Sequence, residues 1–97
     1  MSRSDIMAQL QEELPLLERQ FGVVRLTLFG SAARDELTSE SDVDLLVYFD
    51  GPATMDRYLS VKSHLEEVLG RTVDLVTSSA MKPRLLARIR DEMLDVA

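Results

Sequence analysis

Leu28-Phe29-Gly30-Ser31-Ala32-Ala33-Arg34, followed by Ser41-Asp42-Val43-Asp44-Leu45-Leu46-Val47, is the stretch on which the fold turns. Its first half ends a β-branched and aromatic run, Val23 to Phe29, which predicts a strand with Val24, Leu26 and Leu28 on one face and Arg25 and Thr27 on the other. Gly30-Ser31 turns the chain into a short helix, and Asp35 to Ser41 is polar and turn-rich. A second strand is predicted from about Asp42 to Phe49, with Val43, Leu45, Val47 and Phe49 sharing a face, and Asp50-Gly51-Pro52 closes it. Gly-Ser thus ends one strand and an Asp-x-Asp opens the next.

Outward from that centre the periodicity changes. On the N-terminal side Ile6, Leu10, Leu14, Leu17 and Phe21 recur at helical spacing behind Ser4 as N-cap, with Gly22 as the terminator. Pro15 removes a backbone donor within that run, so a kink or break is expected around Glu13 and Leu14. On the C-terminal side Tyr58, Val61, Leu65 and Val68 mark a helix over about residues 54–69, ended by Gly70. Thr72 to Val76 reads as a third strand with Val73 and Leu75 on one side and Asp74 on the other. Leu85, Leu86, Ile89 and Met93 form a last helix behind Pro83. Helices and strands alternate throughout, which predicts an α/β (α+β) layer structure. Its sheet has at least three strands, with helices mainly on one face and the polar face open.

Composition narrows the chemistry. The 97 residues carry 17 acidic against 11 basic side chains, for a net charge of −6, with no cysteine and one histidine, His64. One domain over residues 1–97 is expected at this length. Disulfides, thiolate nucleophiles and cysteine-zinc sites are excluded, so any metal is held by oxygen. The opening Met1-Ser2-Arg3-Ser4-Asp5 leads into a charged amphipathic stretch and no apolar run reaches membrane length, so a cytoplasmic, membrane-free protein is expected. The acidic balance argues against direct nucleic-acid binding.

Three features converge on the polar face. Asp42 and Asp44, two apart on a strand, project the same way, and adjacent carboxylates are unfavourable unless a cation such as Mg²⁺ neutralises them. Gly30 permits close approach of a phosphate to the backbone, and Ser31 can donate to its oxygens. Asp74 lies on the less apolar side of the third strand. Each has an ordinary reading as well: a polar strand entry, a serine-capped turn, a solvent-facing strand residue. The pattern is not a Walker loop, since the second glycine and the Lys-Ser/Thr pair are missing. Taken together, Gly-Ser, ten residues and Asp-x-Asp are far more specific than any one part.

On these residues, with Val73-Asp74-Leu75-Val76, the sequence resembles the minimal nucleotidyltransferases of the DNA polymerase β-like superfamily, and within it the MntA-type antitoxins encoded beside HEPN ribonuclease toxins. The resemblance spans nearly the whole chain. It implies a nucleotidyltransferase fold, with Asp42, Asp44 and Asp74 as catalytic residues holding two Mg²⁺ ions. It further implies that Gly30 and Ser31 grip the phosphates of ATP, and that Arg34 neutralises charge there or fixes the loop. The implied reaction is transfer of AMP from ATP to a hydroxyl, a tyrosine of the cognate HEPN toxin, which silences that ribonuclease. A non-catalytic antitoxin that occludes the toxin, or transfer to a small molecule, are the alternatives. One departure is Asp35, where many relatives have glycine; aspartate tolerates the left-handed backbone, so the turn is expected to survive.

Other polar residues read as structural. His64 falls between Val61 and Val68 at helical spacing and is expected half-buried, and Tyr48 and Tyr58 are expected to pack. Lys82, Arg84, Arg88 and Arg90 concentrate positive charge near the C-terminus, as a solvated helix face or as a contact for an acidic partner or the nucleotide.

Overall fold

The computed structural model describes residues 1–96. Helix α1 (Arg3–Phe21) starts two residues earlier than expected, because Ser2 rather than Ser4 is the N-cap. The Ser2 hydroxyl accepts from the Asp5 N–H at 3.2 Å and the Asp5 carboxylate accepts from the Ser2 N–H at 3.1 Å, a reciprocal capping box. The expected break at Pro15 does not occur: α1 runs through it. Pro15 lies on the exposed face, where water can satisfy the carbonyl that loses its donor, while Ile6, Leu10, Leu14 and Leu17 stay buried on both sides of it. Gly22 ends the helix in the left-handed conformation, as anticipated.

Strands β1 (Val23–Phe29) and β2 (Val43–Phe49) pair antiparallel around the one-turn helix α2 (Gly30–Ala33). The register shifts between Val23 and Arg25, and this bulge corrects one expectation: Val24 is 61% exposed and Val23 takes its place in the core. Helix α3 (Met55–Leu69), N-capped by Thr54, carries the chain across to β3 (Val73–Thr77), which pairs parallel with β2. Its buried face is Val61, Leu65 and Leu69, with Val68 only half-buried. Helix α4 (Pro83–Ile89) stops four residues before Met93, and a strand that the sequence reading missed, β4 (Leu94–Asp95), returns antiparallel to the outer edge of β1. The mixed sheet therefore has the order β3-β2-β1-β4.

Two apolar clusters fill the two faces. α1 and α3 close the larger over Leu26, Leu28, Val43, Leu45, Val47, Val73 and Leu75. The opposite face is not fully open as expected, because α4 lies on it through Ile89 and Leu85, against Phe29 and Leu46. On that face Thr27 is completely buried, and its hydroxyl donates to Asp95 at 2.8 Å, so β4 satisfies a group that burial would otherwise orphan. His64 joins the helical layer, pairing its Nε2 with Glu13 and packing near Phe21. Tyr58 donates to the Leu75 carbonyl at 2.7 Å, consistent with a packing role. Among the described residues no helix is long and apolar enough to cross a membrane.

Candidate functional site

The sheet register gathers the predicted residues at one end of the α4-bearing face. Phe29 stands opposite Asp44 across the β1–β2 pair, and Asp44 is level with Asp74 across the β2–β3 pair. Gly30 follows Phe29 directly, so the glycine-serine turn and two carboxylates lie in one row. Asp42 lies just before β2 and Ser31 inside α2.

Gly30 is required where it stands. Its φ is +72°, and a Cβ there would lie 2.9 Å from the Asp44 Cγ and closer still to its Oδ2. The backbone of the turn is thus seated against the Asp44 carboxylate with no room for a side chain between them. α2 is only one turn long, so its dipole adds little; close backbone approach and the Ser31 hydroxyl are what this turn offers a phosphate.

Asp44 feels the crowding. Burial first, then the neighbouring Asp74, then Asp42 and Glu92, push its pKa up to about 6. Such an arrangement fits a divalent cation held by oxygen: ionising Asp44 beside Asp74 is costly, and an added positive charge removes the cost. Among the described residues no three metal-ligating side chains already close on one cation-sized point. Two adjacent carboxylates completed by water and phosphate oxygens are nonetheless the ordinary coordination of Mg²⁺.

The loop after the turn is anchored from two sides. Glu36 donates its N–H to the Ser31 carbonyl at 2.8 Å, and Asp35 does take the left-handed conformation, with φ +59°. The Asp35 carboxylate faces the start of α1, accepting the Arg3 N–H at 2.8 Å, while the Arg3 guanidinium donates to the Ala33 carbonyl at 3.1 Å. Arg34 is committed to two carboxylates, Glu36 at 2.9 Å and Glu92 at 2.7 Å. The Glu92 pair joins the loop to the segment that follows α4. Arg3 and Glu92 were not anticipated, and no local signal marks them: Glu92 is 58 residues from Arg34 in the chain.

An open polar cleft of about 800 Å³ adjoins Asp42, lined also by Ser39, Ser41, Glu66 and Arg71. It meets the carboxylate row only at Asp42. Two of its charged side chains are already engaged, Arg71 with the Thr38 and Ser41 carbonyls and Glu66 with Lys62 and the Val73 N–H.

Comparison with known proteins follows the same geometry. Residues 10–96 match the nucleotidyltransferase domain family. A Methanocaldococcus jannaschii chain named as a candidate protein adenylyltransferase is 43% identical over 86% of this chain and 88% of its own length. The protein adenylyltransferase MntA of Thermococcus cleftensis is 35% identical over 82% of this chain and 81% of its own. A solved structure described as a candidate minimal nucleotidyltransferase superposes with a TM-score of 0.81 at 35% identity, covering 97% of this chain and 95% of the other. The MNT antitoxin in complex with tri-AMPylated Shewanella oneidensis HEPN toxin shares the fold, with a TM-score of 0.62 at 18% identity over 98% of this chain and 68% of that one.

Proposed function

The chain belongs to the nucleotidyltransferase domain family, and from that premise we propose that it is a protein adenylyltransferase acting as the antitoxin of a HEPN-type ribonuclease toxin. It transfers AMP from ATP to a tyrosine hydroxyl of that toxin, in the cytoplasm and as a single domain. The observation that carries this reading is the seating of the Gly30 backbone against Asp44, with Asp74 level on the adjacent strand. The named relatives and the AMPylated toxin complex support the acceptor class.

Gly30 and Ser31 receive the β- and γ-phosphates, Gly30 by allowing close approach and Ser31 by donating its hydroxyl. Asp42, Asp44 and Asp74 would hold two Mg²⁺ ions, which when bound supply the charge that stabilises the pyrophosphate leaving group and lowers the cost of ionising the acceptor. The acceptor oxygen forms its bond to the α-phosphorus as the bond to the bridging α–β oxygen breaks, and pyrophosphate departs with that electron pair. The acceptor proton passes to a carboxylate oxygen of Asp74, which is exposed to the approaching substrate. Arg34 keeps the loop in place through Glu36 and Glu92.

The test is to incubate the protein with the product of its neighbouring reading frame, Mg²⁺ and ATP labelled on the α-phosphate. Label is expected on a tyrosine of that neighbour and is expected to fall by at least a hundredfold with Asp42→Asn or Asp44→Asn, on the order of a lost transition-state charge interaction. Equal labelling by those variants overturns the assignment. If both variants still neutralise the toxin in cells, the chain acts by occlusion instead.

A further inference from the structure

Every basic side chain outside the α4 segment is engaged. Arg25, Arg34, Arg57 and Lys62 pair with carboxylates. Arg3, Arg19 and Arg71 donate to backbone carbonyls. The other basic side chains, Lys82, Arg84, Arg88 and Arg90, all fall within nine residues that hold no acid, and all are exposed. Among the described residues none of the four has a hydrogen-bonding or ionic partner. The remaining seven basic residues are set against all 17 acidic ones, so a free cationic strip on this molecule stands out from its surroundings.

That strip borders an apolar groove. Pro83, Leu86, Ala87 and Arg90 share one face of α4 at helical spacing and form one wall of a cavity of about 430 Å³, whose other wall includes Arg25 and Asp95. Leu86 is 38% exposed there, although α4 has Leu85 and Ile89 for its packing against the sheet. Arg25 and Asp95 neutralise each other through paired hydrogen bonds of 3.1 and 3.0 Å, leaving the positive charge to α4. Three residues past the end of α4, Glu92 pairs with Arg34 at 2.7 Å, which ties this segment to the loop that follows the glycine-serine turn.

We propose that the outer face of α4 is the docking surface for an acidic segment of the protein acceptor, whose carboxylates meet Arg84, Arg88 and Arg90 while its aliphatic side chains enter the groove beside Leu86. The proposal rests on the reading of the site only in calling this partner the acceptor. Charge complementarity selects an acidic partner, and the aliphatic wall selects a polypeptide over a nucleic acid: the groove lining offers no aromatic stacking platform, and the surrounding acidic surface repels a phosphate chain.

The surface is tested without nucleotide, by titrating the ¹⁵N-labelled protein with a synthetic peptide mixing aspartates and leucines. Controls are the same peptide with serine for leucine, a single-stranded RNA and the protein alone over a range of concentrations. Saturable shifts confined to residues 82–95 and to Arg25 across the groove, weakened by salt and about tenfold or more by Arg84→Glu with Arg88→Glu, are expected. Equal binding of the serine peptide, tighter binding of RNA, self-association through α4, or no loss in the double variant each overturns the proposal. In the transfer assay the same double variant is expected to raise KM for the acceptor several-fold and to leave ATP affinity unchanged. An unchanged acceptor KM with normal transfer sinks the docking surface and spares the enzyme; peptide binding without any transfer does the reverse.

Discussion

At Asp44, burial and the charges of Asp74 and Asp42 raise the carboxyl pKa from an ordinary 3.8 to about 6. Between those values the folded protein holds a proton that the unfolded chain has released, so this group favours folding below about pH 4 and loses that contribution as pH rises through about 6. Asp44→Asn is therefore expected to be more stable than the parent at pH 8. The group is only half-buried and solvent screens part of the effect, so a gain of about 1 kcal/mol, or a Tm several degrees higher, is the expected size. The difference should shrink at pH 4, and the same substitution should abolish transfer. Thermal melts at the two pH values check this; an asparagine variant no more stable at pH 8 contradicts it. Gly30 is constrained in a complementary way, since any Cβ there displaces the same carboxylate.

Among the elements, β4 depends most on a few polar contacts. Asp95 accepts from buried Thr27 and pairs with Arg25, and these partners, the Thr27 hydroxyl foremost, hold its carboxyl below the usual range. Asp95→Ala leaves the Thr27 hydroxyl unpaired, at a cost of about 1–3 kcal/mol. Faster amide exchange is expected at Val96, whose N–H donates to the Leu26 carbonyl at 2.9 Å. The Asp95 contribution is present above the ordinary carboxylate range and is lost as pH falls below it, the opposite sign to Asp44. β4 was illegible beforehand because two residues, Leu94 and Asp95, carry no alternation of their own; the Thr27–Asp95 pairing across 68 residues makes it a strand. Pro15 and Val24 misled for related reasons: propensity reports a local penalty, but exposure at Pro15 removes it, and the bulge at Val24 resets a face that alternation alone assigned. The glycine-serine turn and the three aspartates were readable because strand ends and turns are set locally. Glu92 and Arg3 were not, since only the tertiary fold brings them to the loop.

For the whole molecule, part of the acidic excess lies in Asp42, Asp44 and Asp74, where on the proposed reading a cation relieves it. Adding Mg²⁺ with a non-hydrolysable ATP analogue is expected to raise Tm by mass action, by about 2.7 kcal/mol of stability at a hundredfold excess over Kd. Asp44→Asn should abolish most of that ligand-dependent rise; a rise of equal size in the variant places the ligand elsewhere. The two faces of the sheet divide the labour, with α1 and α3 closing the larger core and α4 covering the other beside the carboxylate row.

The β1–β2 hairpin pairs neighbouring stretches of chain and brings the glycine-serine turn to Asp44 at small loop-closure cost. The parallel β2–β3 pair cannot form until the chain has crossed over through α3, and it is that later step that sets Asp74 level with Asp44. The glycine-serine turn against Asp44 thus depends on the more local pairing, and the Asp44–Asp74 row on the less local one. On the proposed reading, a change that loosens only the β2–β3 crossover is therefore expected to cost transfer while leaving the turn that receives the phosphates in place.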